Sequence, residues 1–454
     1  MTFRSLVFSP PLFMLNKNGA PLSVGILPLG CKVSQYECEA VAEEFERDGF
    51  CLRPFSEVCD VYVINTCTVT AESDAKSRKA IRRAIKKNPE ALVMVSGCYS
   101  QTSPDDVAKI DGVGAVIGNH DKMRLPRIAL DILENKLTKP YISTINIDEA
   151  PFEPMCITRA PRTRAYVKIE DGCECRCSYC AIPGARGRVR SKPSRDVIRE
   201  VEALAAAGTA EVVLTGIETA SYGADFGTGY GLIDLLEELD KRKSCHRIRL
   251  GSLSPERMRE DFVKRLSALS IVVPHFHLSM QSGSDNVLRG MKRRYNTAMA
   301  LAALERLREG MPSVQFTTDM MVGFPGEGEA EFSETLEFVR KARFLDMHVF
   351  AYSRRKNTPA ATYPGQVSED EKHRRSAILI AEKNRIRDEI LDSLVASGEP
   401  LTVVLETMEE GIASAHAENF AEVRFPAENA RHGEVIAVCP LSHEGGVIFG
   451  KIKK

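Results

Sequence analysis

No stretch of this 454-residue chain is apolar for long enough to cross a bilayer, whose core takes about 20 consecutive apolar residues. That excludes a helical membrane span. The opening residues, MTFRSLVFSPPLFMLNKNGAPLS, hold one short apolar stretch, which Pro10 and Pro11 interrupt and no small-residue cleavage site follows. Residues 1–21 therefore read as a disordered leader, or as an extension ahead of initiation at Met14. Net charge is nearly absent as well: 61 Lys and Arg against 62 Asp and Glu leave −1. Nothing pulls the whole molecule toward nucleic acid or acidic lipid, so a polyanion would have to be met by local basic clusters. No long-period repeat is present. A secretion signal is also missing, and that decides how the 13 cysteines are read. An odd, unevenly bunched set in a large chain points to metal ligation in a reducing compartment, the cytoplasm, rather than to a disulfide frame.

The length implies two or three domains. Over residues 22–140 the buried-strand patterns SVGILPLG, DVYVINT and ALVMVSG alternate with helical ones, as in a parallel α/β sheet. Residues 141–163 are rich in proline and read as a linker. Over 164–368 six strand–helix units follow, AYVKIE, EVVLTG, RIRLGS, HFHLSM, VQFTTDMMV and MHVFAY marking the strands. Six is short of the eight that close a (β/α) barrel, so an open (β/α)6 barrel is expected, with a side entrance for a large substrate. A charged connecting helix (369–398) leads to short alternating segments over 399–454, a small β-barrel. The fold class is α/β.

The strongest motif is GCECRCSYC, which sets Cys173, Cys177 and Cys180 in C-x3-C-x2-C spacing. Three thiolates on a four-iron cubane leave one iron open. That iron can chelate the amino and carboxylate groups of S-adenosylmethionine and pass an electron into its sulfonium, giving a 5′-deoxyadenosyl radical. The potential required lies toward the low end of the ~ −700 to +450 mV such clusters span. Cys175 permits another register, but not this spacing. Tyr179, before the last cysteine, is placed to shield the cluster or approach the adenine. The alternative is a zinc knuckle, which usually needs a fourth nearby Cys or His.

A second set is dispersed. Cys31 in LGCKVSQYE, Cys67 in NTCTVT and Cys98 in SGCYSQ each follow a predicted strand and precede a helix. In a parallel sheet such points share the carboxyl edge, so three thiols far apart in sequence can converge there on a second cluster. Buried structural cysteines are the alternative. Cys38, Cys51, Cys59, Cys156, Cys245 and Cys439 have no such placement and read as buried apolar residues or spare thiols.

From about residue 22 onward the chain resembles the radical methylthiotransferases. GCKVSQYE and NTCTVTAESDAKSRKAIRR are most similar to the branch acting on N6-threonylcarbamoyladenosine at tRNA position 37. The resemblance implies an amino-terminal cluster domain, a radical barrel and a carboxy-terminal RNA-binding TRAM domain. It implies two 4Fe–4S clusters, the auxiliary one on Cys31, Cys67 and Cys98 and the radical one on Cys173, Cys177 and Cys180. It implies S-adenosylmethionine contacts from Thr215, Gly216 and Glu218 in LTGIETASYG, and from Ser279 and Gln281 in HLSMQSGSD. Asp319 and Gly323, with Gly326 and Glu327, fall in TTDMMVGFPGE, which resembles the segment beside adenine and ribose. Two molecules of S-adenosylmethionine are implied, one supplying a methyl group for sulfur and one the radical. A flavodoxin- or ferredoxin-like electron donor is implied too. The sulfur donor and the oligomeric state are left open. A different target, isopentenyladenosine or a ribosomal-protein aspartate, and a non-catalytic iron–sulfur RNA sensor are the competing readings.

RNA contact rests on three basic groups. Lys79, Arg83 and Lys86 share a face of the helix after Cys67. Arg186, Arg188 and Arg190 follow the radical cysteines, and Arg293 and Arg294 follow the QSG strand. On a chain of net charge −1 they suggest a phosphate track for a tRNA anticodon loop, although a charged helix is often only a solvated face. His275 and His277 alternate along a strand and read as packing or hydrogen-bonding residues.

Overall fold

The computed structural model describes residues 15–16, 19–427 and 430–453. Most of the expected leader, residues 1–14 and 17–18, lies outside the described residues. Two compact units result. The first takes residues up to Ile157 together with Gly184–Arg186, and the second takes Thr158–Pro183 and Gly187 onward.

The first unit is a six-stranded, wholly parallel sheet: β1 (Ser23–Pro28), β2 (Cys51–Leu52), β3 (Val61–Thr66), β4 (Leu92–Gly97), β5 (Val113–Ile117) and β6 (Tyr141–Ser143), in the order β2-β1-β3-β4-β5-β6. Every residue of β3 and β4 is buried, as a parallel strand covered on both faces requires. Alternation sorts them. Val61 and Val63 join Phe45, Met94 and Ile128 on one face, while Tyr62 and Ile64 join Ile81, Val95 and Val116 on the other. The linker expected from residue 141 is corrected here, because Tyr141–Ser143 pairs with β5 as the sixth strand.

The second unit carries β7 (Arg164–Lys168), the short pair β8 (Glu170–Asp171) and β9 (Arg190–Ser191), then β10 (Glu211–Thr215), β11 (Arg247–Leu250), β12 (His275–Gln281), β13 (Gln315–Val322) and β14 (Asp346–Ala351). The parallel sheets β7-β10-β11 and β12-β13-β14 meet through bridges at Ile248–Val272 and Leu253–Leu278. This is the expected open arc of six strands. The helix Glu369–Ser397 is capped by the Ser368 side chain and stopped by Gly398 at φ 63°. It leads to a closed five-stranded barrel of β15 (Leu401–Glu409), β16 (Ile412–Ala417), β17 (Glu422–Pro426), β18 (Val435–Glu444) and β19 (Val447–Ile452).

At the amino ends of β7, β10 and β11 lies a buried charge cluster. Glu211 accepts from Arg164 at 2.8 Å, Arg247 at 2.5 Å and Arg249 at 2.7 Å. Its burial favours protonation, but Arg249, Arg164 and Arg247 outweigh that and hold the carboxyl down at about 2. The small barrel completes the cluster. Glu406 pairs with Arg164, the Thr402 carbonyl accepts from Arg247, the Ala417 and Glu418 carbonyls accept from Arg249, and Phe420 stacks on His275. The small barrel is therefore part of the radical barrel's packing, and deleting residues 399–454 would strip partners from three arginines.

Glu211→Gln is expected to cost about 3–5 kcal/mol, the usual penalty for leaving buried charge uncompensated, read as a lowered midpoint in urea. The wild-type stability should depend on pH in one direction. The folded carboxyl stays ionised to about 2, whereas the unfolded one titrates near 4.5. Its contribution is thus complete above pH 4.5 and lost as pH falls toward 2. Glu211→Gln should flatten that acid limb.

Candidate active site

In the first unit, β1, β3 and β4 are neighbours, and the three dispersed cysteines stand at their carboxyl ends. Cys31 stands at the position before the helix Lys32–Arg47, Cys67 follows β3, and Cys98 opens the helix Cys98–Thr102. Glycine makes the approach feasible: at Gly97, φ is 99° and a Cβ would lie 2.3 Å from Asn65 Oδ1. Burial raises the thiols of Cys31 and Cys67, and each of them senses the charge of Cys98.

Cys98 Sγ accepts from Asn119 Nδ2 at 3.4 Å and from Arg186 Nε at 3.3 Å. Arg186 is 1% exposed, and its guanidinium forks onto Glu37 at 2.6 and 3.2 Å. Lys122 joins the same carboxylate at 2.5 Å and holds Asn119 Oδ1 at 2.8 Å. Arg186 was expected to meet RNA phosphate, and that expectation is corrected: its charge is spent inside the protein, on Glu37 and on a thiol sulfur. Sequence inspection missed Glu37, Asn119 and Lys122, whose partners lie up to 149 positions away.

In the second unit the cysteine loop follows β8. Cys177 is buried, and Cys173 and Cys180 are half-buried. Burial pushes the Cys180 thiol up to about 12. Cys173 and Cys175 share a hydrogen bond that raises the first and lowers the second. Arg293 Nη1 donates to Cys177 Sγ at 3.4 Å and Nη2 to the Ser279 carbonyl at 3.0 Å, which is also a correction to its expected place on RNA. Tyr179 packs beside Met291, Met321, Phe324 and Tyr352. Arg190 is buried 3.9 Å from Asp171, a further correction. Arg188, Arg294, Lys79, Arg83 and Lys86 are exposed.

The expected cofactor contacts fall into two groups. Thr215, Gly216 and Glu218 stand together at the end of β10. Glu170 Oε2 accepts from the Glu218 amide at 3.0 Å, and a Cβ at Gly216 would meet that oxygen at 2.4 Å. Burial pushes Glu218 up to about 7, against the Ser254 hydroxyl that hydrogen-bonds to it, and the charges of Cys175 and Arg293 reach it. Ser279 and Gln281, the latter at φ 65°, end β12 beside Arg293. Asp319 stands apart from these: it accepts from His277 and His348, both at 3.3 Å. Gly323, at φ 72°, lies under the Lys372 side chain, where a Cβ would approach within 2.3 Å. His275 and His277 both bond Thr317, as expected of hydrogen-bonding residues.

Among the described residues no three His, Cys, Asp or Glu side chains converge closely enough for a single metal ion. A cubane spreads its corner thiolates further apart than one ion does. Each triad offers three thiols and an arginine aimed at one sulfur, and sulfurs of iron–sulfur clusters accept such bonds. The donor sets therefore suit a cluster.

The chain matches the family model of the radical SAM superfamily over residues 167–339 and that of an uncharacterized protein family, UPF0004, over residues 23–118. It is 38% identical over 422 residues to the threonylcarbamoyladenosine tRNA methylthiotransferase MtaB of Bacillus subtilis (strain 168), covering 92% of this chain and 93% of that protein. It is 33% identical over 434 residues to the tRNA-2-methylthio-N(6)-dimethylallyladenosine synthase of Acidothermus cellulolyticus, covering 92% and 85%. Among solved structures, the radical S-adenosylmethionine methyltransferase TsrM from Kitasatospora setae, with cobalamin and a [4Fe-4S] cluster bound, superimposes with a TM-score of 0.55. At 15% identity, over 87% of this chain and 80% of that one, the likeness is one of fold.

Glu37→Ala is expected to destabilise the first unit by about 3–5 kcal/mol, since Arg186 and Lys122 would remain buried without their shared carboxylate. Chemical denaturation of the purified chain measures it. A loss under 1 kcal/mol would mean that the pairs are not maintained in solution.

Proposed function

Because the chain belongs to the radical S-adenosylmethionine methylthiotransferase family, we propose that it places a methylthio group on C2 of N6-threonylcarbamoyladenosine at position 37 of tRNA. The observation that carries the reading is the presence of two cysteine triads, one in each matched region, each with an arginine bonded to a sulfur. The relative named for this nucleoside is 38% identical, against 33% for the dimethylallyl one cited, which favours the threonylcarbamoyl substrate.

The adenine C2–H bond is neither acidic nor open to general acid–base attack, so hydrogen removal needs a radical. When bound, two 4Fe–4S clusters and S-adenosylmethionine supply the low-potential electron, the radical and the methylated sulfur. The chain's own residues do the rest. Cys31, Cys67 and Cys98 hold one cluster, and Cys173, Cys177 and Cys180 the other. Arg186 and Arg293 balance thiolate charge, and together with Asn119 they fix the orientation of the sulfurs. Thr215, Gly216 and Glu218 receive the methionine end of the cofactor, on a loop that Glu170 pins through the Glu218 amide. Tyr179 and its apolar neighbours keep water from the radical cysteines. The electron donor is flavodoxin- or ferredoxin-like, and the work is cytoplasmic, where tRNA is available.

Nucleoside mass spectrometry of tRNA from cells with and without the gene tests the reaction. Loss of 2-methylthio-N6-threonylcarbamoyladenosine with accumulation of its precursor is expected. Loss of the isopentenyl counterpart would move the enzyme to the other substrate, and no change would remove RNA as the target. Cys177→Ala should abolish S-adenosylmethionine cleavage, whereas Cys67→Ala should retain some cleavage and lose sulfur transfer. Normal methylthiolation by either variant would refute the two-cluster assignment.

A further inference from the structure

We propose that a cavity lined by Arg257, Arg259, Arg294 and Arg306 is a binding site for RNA backbone phosphates, used to hold the tRNA substrate beside the radical loop. The inference rests on the tRNA reading above and names a contact surface for it.

The cavity measures about 490 Å³ and lies in the second unit. It forms where the turn after β11, Pro255–Arg257, meets the helix Thr297–Gly310. Four guanidiniums face two carboxylates, Glu256 and Glu260, so the lining is net cationic. Among the described residues none of the four arginines has a carboxylate within 4.0 Å. Arg257 donates to the Ser221 hydroxyl at 3.5 Å, Arg294 to the Glu174 carbonyl at 3.3 Å, and Arg306 to the Met258 carbonyl. Other arginines of this unit are differently placed: Arg265, also near the turn, is held at 2.7 Å by both Asp234 and Glu237. Cations that outnumber the carboxylates around a cavity repel one another, and an anion relieves that repulsion.

The lining also selects the kind of anion contact. It contains no aromatic side chain on which a base could stack, so the site suits backbone rather than base. Its position points to the substrate. Arg294 bonds the cysteine loop at Glu174, and it also lines a second cavity of about 390 Å³ together with Arg293, whose guanidinium reaches Cys177. A strand of RNA held by its phosphates here is held next to the radical cysteines. Arg257 and Arg259 share one turn, while Arg294 and Arg306 come from distant segments, so no sequence motif marks the group.

The test is the salt dependence of tRNA binding to the anaerobically reconstituted full-length enzyme. Wild type is compared with R257Q/R259Q, and iron content and melting temperature verify that the variant is intact. Each phosphate contact on single-stranded RNA contributes ~0.7 to the log–log slope, so the double variant should lose ~1.4. A second variant, E260Q, removes a repelling carboxylate from the rim and should tighten binding roughly 2- to 5-fold at low salt. An unchanged slope in R257Q/R259Q together with unchanged affinity in E260Q would overturn the site. Competition by inorganic phosphate at constant ionic strength, with the slope unchanged, would assign the cavity to a free anion and overturn it too. If wild type itself fails to bind tRNA, the proposed function falls first, and that outcome is distinct from the failure of this site.

Discussion

The parallel pairing of β1, β3 and β4 is the constraint on which the convergence of the amino-terminal cysteines depends. Parallel strands all finish on one edge, so the residues following them are brought together however many positions separate them. Cys31, Cys67 and Cys98 are neighbours because Leu27 pairs with Ile64 and Ile64 with Val95. A slip of one residue in either register would move the side chains fitted to one covered face of the sheet onto the other. Core packing of Val61, Tyr62, Val63 and Ile64 therefore fixes the thiols as firmly as the backbone hydrogen bonds do.

Both triads use arginine in a way that composition hides. Arg186 and Arg293 each spend one nitrogen on a cysteine sulfur; both terminal nitrogens of Arg186 engage Glu37, and Nη2 of Arg293 donates to the Ser279 carbonyl. The planar guanidinium offers five donors in a fixed fork, so it can bind a sulfur and an oxygen partner together, which a lysine ammonium does less rigidly. Burying such a cation is costly unless its charge is matched. Glu37 meets that requirement for Arg186 and Lys122 alike.

The small carboxy-terminal barrel has a structural role beside any role with RNA. Its carbonyls and Phe420 complete the arginine cluster around Glu211 at the amino ends of the radical barrel strands. Thr215, Glu218, Ser279 and Gln281, the residues proposed to meet the cofactor, stand at the opposite, carboxyl ends. One end of the six-stranded arc is thus given to packing, and the proposed site lies at the other, as in closed (β/α) barrels.

The sequence by itself determined the fold class, the six-stranded arc, the cysteine spacing and the strand-end placement of the second triad. Those features are local: C-x3-C-x2-C is read along eight residues, and strand periodicity within each segment. Only the tertiary structure decided what each charge is for. Arg186, Arg190 and Arg293 look the same in sequence as Arg188 and Arg294, yet the first three turn inward and the last two reach solvent. The difference lies in partners such as Glu37 and Asp171 and in sulfurs that the fold alone brings within hydrogen-bonding distance. The arginine cavity is of the same kind, since Arg257 and Arg306 share a wall only because the turn after β11 packs against the helix Thr297–Gly310. Charge is carried by single residues, but its function is a property of distance, and distance between remote segments is set by packing.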